Sequence, residues 1–266
     1  MAGSPEQQTG EILDQLALQV RRTLKTADRD QVHDLRVATR RFSQALAVLD
    51  DSSPHHGIEK IRRKLKTAIS LAGAVRDYDI AEKLIAKLKA PARLQSKLER
   101  RRSDAERQLL DALCAWVDRG LTARWRQKIT SRKNPPASAK HHTLMQTARR
   151  FFDRSRNVEG STRALHKLRI AAKKLRYTME LTPLNGAAGQ TRLDQIKDVQ
   201  TRLGDINDYD TTRRILTDEG ASLKMTSELK KKQEKKVRQF RRFWKNQFAG
   251  KEDQWLAGLR HPRQRA

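Results

Sequence analysis

A single cysteine, Cys114, excludes a disulfide framework within the monomer and a structural zinc site built on thiolates. Inside "DALCAWV" it is expected to pack as a small apolar core residue. Glycine and proline are scarce too, at 12 and 7 residues, and most fall where helices would start or stop. Aromatic residues amount to only 5%, so a binder that stacks bases on aromatic rings has little to work with. No apolar run is long enough to span a bilayer, and "MAGSPEQQTGEILDQ" has neither the basic nor the apolar part of a signal peptide. The expectation is a soluble cytoplasmic protein without a membrane partner.

Acid is the remaining shortage. Against 58 Lys and Arg stand 31 Asp and Glu, which leaves a net charge of +27 on 266 residues. Such a chain repels itself, and an excess of this size points to a polyanionic partner: nucleic acid, an anionic membrane or a phosphate polymer. Apolar residues make up 36%, enough for a core if they are well placed.

The placement is helical almost throughout. "SPEQ" carries an N-cap at Ser4, Pro5 in the first turn and Gln7 closing a capping box. "DDSSPHHG" separates two helices, and Ile58, Ile61, Leu65, Ala68 and Ala72 keep helical spacing after it. Gly73 is expected to end that helix, with Asp77 or Asp79 beginning the next. Pro91 opens a helix running to about residue 130, and "SRKNPPASAK" at 131–140 breaks the chain in its middle. A helix from about 138 to 157 follows. The next ends near Pro183, a shorter one ends at Gly204, "NDYD" starts another, and a long basic helix closes the sequence.

Two segments repeat. "VHDLRVATRR" at 32–41 returns as "LHKLRIAAKK" at 165–174, 133 positions later. "LAGAVRDYD" at 71–79 returns as "RLGDINDYD" at 202–210, offset by 131. Two matches in nearly one register indicate an internal duplication. The fold class expected is all-α: two pseudo-symmetric antiparallel helical bundles of about five helices each, residues 1–134 and 135–266.

On a helical wheel His33, Arg36 and Arg40 share a stripe with Arg41 at its edge, while Leu35, Ala38, Phe42, Ala45, Leu46 and Leu49 gather opposite. The second copy aligns His166, Arg169, Lys173 and Tyr177, flanked by Arg163, Lys174 and Arg176, with Leu168, Ala171, Leu175 and Met179 on the far side. Any surface helix has a solvated face, and that is the competing reading. Ordinary faces mix both signs, however, whereas Asp34 is the only carboxylate between 31 and 49. Like charges one turn apart repel unless an anion fills the gap. A histidine beside arginines is a poor metal ligand, but a nearby polyanion would favour its imidazolium. The scarcity of aromatics favours a polymer that is all phosphate and no base, with sequence-independent RNA or DNA binding as the alternative.

These residues resemble the CHAD family, the conserved-histidine α-helical domain, over nearly the whole chain. The resemblance implies two helical bundles with a basic groove or pore between them, and binding of inorganic polyphosphate, often with targeting to polyphosphate granules. By position it points to His33, Arg36, Arg40 and Arg41 in the first half and His166, Arg169, Lys173, Lys174 and Arg176 in the second. Ser43 stands opposite Arg176, so the halves differ there. Many relatives also carry a CYTH triphosphatase domain. This chain has neither room for one nor an E-x-E-x-K strand, so no enzymatic activity and no cofactor are expected.

Other candidates are weaker. The carboxylates of "RDYD" (Asp77, Asp79) and "NDYD" (Asp208, Asp210) could hold Mg²⁺, but N-capping and pairing with an arginine explain them more simply. His55–His56 and His141–His142 are expected in loops and outside the repeat register, so no metal site is assigned. Lys66 and Lys197 match at offset 131 and could extend the cationic surface. In "LKKKQEKKVRQFRRFWKNQF", Phe240, Phe243, Trp244 and Phe248 are expected to pack, and the cations either line the groove or add to the general field.

Overall fold

Helix is the only regular structure among the described residues, 5–50, 56–130, 137–182 and 186–259 of the computed structural model. The elements are α1 (Pro5–Lys25), α2 (Arg29–Asp50), α3 (His56–Ala86), α4 (Ala92–Asp118), α5 (Leu121–Thr130), α6 (Ala137–Ser155), α7 (Thr162–Leu181), α8 (Gly186–Asp218), α9 (Leu223–Gln247) and α10 (Glu252–Ala257). The chain divides into two compact units, Met1–Pro136 with Arg214–Met225, and Ala137–Arg213 with Thr226–Ala266.

Local chemistry sets the boundaries. Asp28 Oδ1 accepts from the backbone N–H groups of Asp30 and Gln31 and so caps α2. Ser161 caps α7 by accepting from the N–H of Ala164. Ser4, the chain break at 131–136 and most of "DDSSPHHG" lie outside the described residues.

Four helix boundaries differ from those expected. The segment opened by Pro91 is two helices, because Gly120 takes a left-handed φ of 57° between α4 and α5. The closing basic helix ends before Gly250, at φ 72°, after which α10 turns back. Gly73 and Gly204 terminate nothing: α3 and α8 run straight through them. The apolar register explains why, since the buried stripe Ile58, Ile61, Leu65, Ala68 and Ala72 continues in phase through Val75 and Asp79. Burial along that stripe outweighs the cost of one interior glycine, about 1 kcal/mol. Asp77, Asp79, Asp208 and Asp210 are therefore mid-helix residues and not N-caps.

In the first unit α1 packs on α2, α2 on α3, α3 on α4 and α4 on α1, a four-helix ring with α5 laid against α1 and α4. Its core gathers Leu13, Leu16, Leu35, Phe42, Leu46, Ile61, Leu65, Leu109 and Leu113. Trp125 of α5 closes one end, stacking on Phe42 at 5.9 Å and meeting Trp116 edge-on at 4.4 Å. Cys114 is exposed, which corrects its expected burial: Leu109, Leu113 and Trp116 form the inner stripe, and Cys114 falls off it.

The second unit repeats the order. α6 packs on α7 and α10 on α6. His166 and Gln200 tie α7 to α8, while Gln233 and Lys236 tie α9 to α8. Phe151 of α6 meets Trp244 of α9 at 5.7 Å and closes the ring. Phe240, Trp244 and Phe248 are buried as expected, with Phe243 packed at their edge. Helices α6 to α10 begin 132, 133, 130, 131 and 131 residues after α1 to α5.

Candidate anion-binding faces

In the first unit the face is built by α2 and α3 running antiparallel. Arg29 pairs with Glu82, His33 lies within electrostatic reach of Arg76, and Arg36 sits over Gly73, so numbers rise on one helix as they fall on the other. A Cβ on Gly73 would come within 2.9 Å of Arg36 Nη1, so the glycine leaves the space that the guanidinium fills. Arg40 follows Arg36 on the same stripe and is half-buried; Arg41 is exposed. Lys66, two turns before Gly73 on α3, is exposed as well.

His33 experiences this crowding directly. Partial desolvation, then Arg76, hold its pKa below the usual 6.5; Asp34 opposes them, Arg36 adds a smaller lowering and Asp30 the smallest, opposing one. Arg76 was not anticipated from sequence. It belongs to the repeated "RDYD" segment, where Asn207 is its counterpart at offset 131.

That exchange gives the second face a different partner for its histidine. Nδ1 of His166 donates to Oδ1 of Asn207 at 2.9 Å, which leaves Nε2 as the ring nitrogen not used in this bond. Arg169 and Lys173 are half-buried on the same stripe and Lys174 is exposed. Tyr177, expected on this stripe, is buried, so its ring is withheld from any ligand there. Arg176 lies 4.6 Å over the Tyr177 ring and 3.6 Å from Glu180, one turn on. Lys197 on α8 pairs with Asp194 at 2.9 Å. These last two cations are partly neutralised at home.

The paired aspartates act as ties. Asp79 is buried and accepts from Arg102 Nε of α4 at 2.8 Å, with Arg29 at 3.6 Å and Arg76 at 3.9 Å. Asp210 accepts from Gln233 of α9 at 3.3 Å and from Arg213 at 3.2 Å. Arg102 and Gln233 are 131 residues apart, the register of the repeat. Pairing with an arginine, anticipated from sequence, is what occupies Asp79. His141 and His142 lie within α6 and not in a loop, while His55 and the side chain of His56 fall outside the described residues.

A model of the CHAD domain matches residues 7–217. The chain belongs to the CHAD family. Two solved structures share its all-α fold. The CHAD domain from the plant Ricinus communis superposes with a TM-score of 0.68 at 17% identity, covering 96% of this chain and 90% of that one. PptA from Streptomyces chartreusis gives 0.65 at 16% identity, covering 92% and 99%. No curated protein matches the sequence. The family match takes in α2, α3, α7 and, as far as residue 217, α8, the four helices that carry the cations of the two faces.

Proposed function

We propose that this CHAD chain binds inorganic polyphosphate without transforming it, gripping phosphates with the α2–α3 and α7–α8 faces. The observation that carries the reading is the cluster of His33, Arg36 and Arg76. Basic groups crowd together there, and three guanidiniums, those of Arg29, Arg76 and Arg102, share the one buried carboxylate of Asp79. An anion on the face would relieve that repulsion. Burial of Tyr177 supports a ligand without bases, because it leaves the α7 stripe with no ring on which to stack one.

The recurrence of helix starts and of the aspartate ties in one register supports descent of the two halves from one duplicated unit. Engagement of both faces by one polymer belongs to the proposal, as does recruitment to cytoplasmic polyphosphate granules. The use of Asp79 and Asp210 as inter-helix ties favours binding over metal-assisted hydrolysis.

Filter binding over a salt series tests the proposal. Long polyphosphate is expected to bind tightly with a steep negative salt dependence, and orthophosphate weakly. Equal affinity for the two would overturn it, as would RNA winning a competition at physiological salt. Phosphate release in Mg²⁺ or Mn²⁺ would overturn the non-enzymatic part.

A further inference from the structure

A row of exposed cations in the second unit lies on neither repeated stripe. Along α9, Lys231, Lys235, Arg238, Arg242 and Lys245 recur at steps of four and three residues, and all five are exposed. They form a straight row about 21 Å long at 1.5 Å per residue. None has an ion-pair or hydrogen-bond partner among the described residues. Glu234, on the flank of the row, is the only acid of α9 beyond Glu228, and Glu228 is engaged by Lys232.

The first unit supplies an internal control. In the repeat register the same positions on α4 are Arg100, Asp104, Arg107, Asp111 and Cys114. That row alternates in sign, and Arg107 pairs with Asp104 within it. Such alternation is the ordinary pattern of a solvated helix face. On α9 both acids are replaced by cations.

The row also faces away from the α7 stripe. Leu229, Gln233, Phe240 and Trp244 mark the buried side of α9, and the cations lie directly opposite. Within the four-helix ring α7 and α9 occupy opposite corners, with α6 and α8 between them. One short polyanion cannot lie on both rows. We infer that the outer face of α9 is a second, independent track for phosphate polymer, so that one molecule holds two polymer segments and cross-links long chains. The inference rests on the polyphosphate reading above. It takes the same ligand because the α9 row, like the α7 stripe, offers cations without an exposed aromatic.

The variant Lys235→Asp with Arg242→Asp restores the sign pattern that α4 already tolerates. A charge-matched control, Arg21→Asp with Arg124→Asp, changes exposed positions away from every row. Each protein is titrated with a polyphosphate too short to bridge two rows, read by filter binding, and with a long one, read by light scattering. The expected result is that all three still bind the short chain, the α9 variant with fewer chains per protein than the wild type and the control. Scattering assemblies should form with the wild type and the control, and their onset should move to at least about tenfold higher protein in the α9 variant, the loss that follows when one of two linked sites is removed. Lys235→Ala with Arg242→Ala repeats the test with half the change in charge.

Assembly by the α9 variant at wild-type concentrations overturns the second track, and so does an equal loss in the control, which would assign the effect to bulk charge. Loss of duplex DNA binding with polyphosphate assembly intact overturns it as well, giving the row to nucleic acid. Failure of every protein to bind the short chain strikes the polyphosphate reading itself.

Discussion

Arg102 donates from Nε to Asp79 at 2.8 Å, and the Asp79 carboxylate has no exposure to solvent. The bond ties the middle of α3 to α4, and the same guanidinium donates to the carbonyl of Ala27 just before α2. Three segments of the first unit thus converge on one arginine, beside the helix pair that presents His33 and Arg36. The second unit places Gln233, a neutral amide, at the corresponding position against Asp210. Fold and face are coupled more tightly in the first half than in the second.

Arg102→Ala strands a buried carboxylate, a change that costs about 3 kcal/mol at the lower end of such losses, since Arg29 and Arg76 remain near. Gln233→Ala removes one neutral donor from a half-buried aspartate that keeps Arg213, at a cost of about 1 kcal/mol. Urea unfolding of both variants checks the order. A larger loss for Gln233→Ala would mean that Asp79 is held by its other arginines.

Reversing Arg36 and Arg169 to Glu removes the paired guanidiniums of the two faces. Polyphosphate affinity is expected to fall for each single change. The slope of log affinity against log salt should flatten by roughly one for each phosphate that the protein no longer neutralises. A double change that costs more than the two singles combined would report one polymer on both faces; strict additivity would report separate engagement. In cells the double variant should disperse from polyphosphate granules.

The helices of the two faces were legible because a buried stripe at helical spacing is a long signal: Leu35, Phe42, Leu46 and their counterparts Leu168, Leu175 and Met179 all lie inside. Gly73 was misread because a terminal glycine and an interior one look alike locally, and only the unbroken phase of Ile58 through Val75 separates them. Arg76 and Arg102 escaped notice for another reason. Their roles depend on which helices pack side by side, and no local spacing encodes that the partner of Asp79 is 23 residues away. Tyr177 shows the limit of an ideal wheel, since a ring at the edge of a stripe can fold inward against its own bundle.

Acidity provides a test centred on His33. Its folded pKa lies below the unfolded 6.5, through desolvation, then Arg76 and Arg36. The unfolded chain therefore binds more protons, so this group's contribution to stability is full above pH 6.5 and declines as pH falls towards the folded pKa. A bound polyanion reverses the bias by favouring the imidazolium, so binding should take up a proton and tighten as the solution is acidified through that window. Arg76→Gln should move the free His33 pKa up towards 6.5 and weaken the pH dependence of binding. Histidine NMR titrations with and without polyphosphate read both effects. A pKa that stays put when ligand is added would remove His33 from the site.

The two matched glycines separate stability from binding. At Gly204 an added Cβ meets nothing within 4 Å, so Gly204→Ala should stabilise the second unit by about 0.5–1 kcal/mol, the usual gain on removing glycine from a helix interior. At Gly73 the same methyl comes within 2.9 Å of Arg36 Nη1, the end of a long side chain that can swing away. Gly73→Ala should therefore fold well, gain some of the same helix propensity, and lose polyphosphate affinity because the guanidinium is displaced. Thermal melting and filter binding on the two variants give a crossed pattern: both at least as stable as the wild type, and only Gly73→Ala weakened in binding. Equal binding by the two would show that the position of Arg36 over α3 does not matter to the ligand.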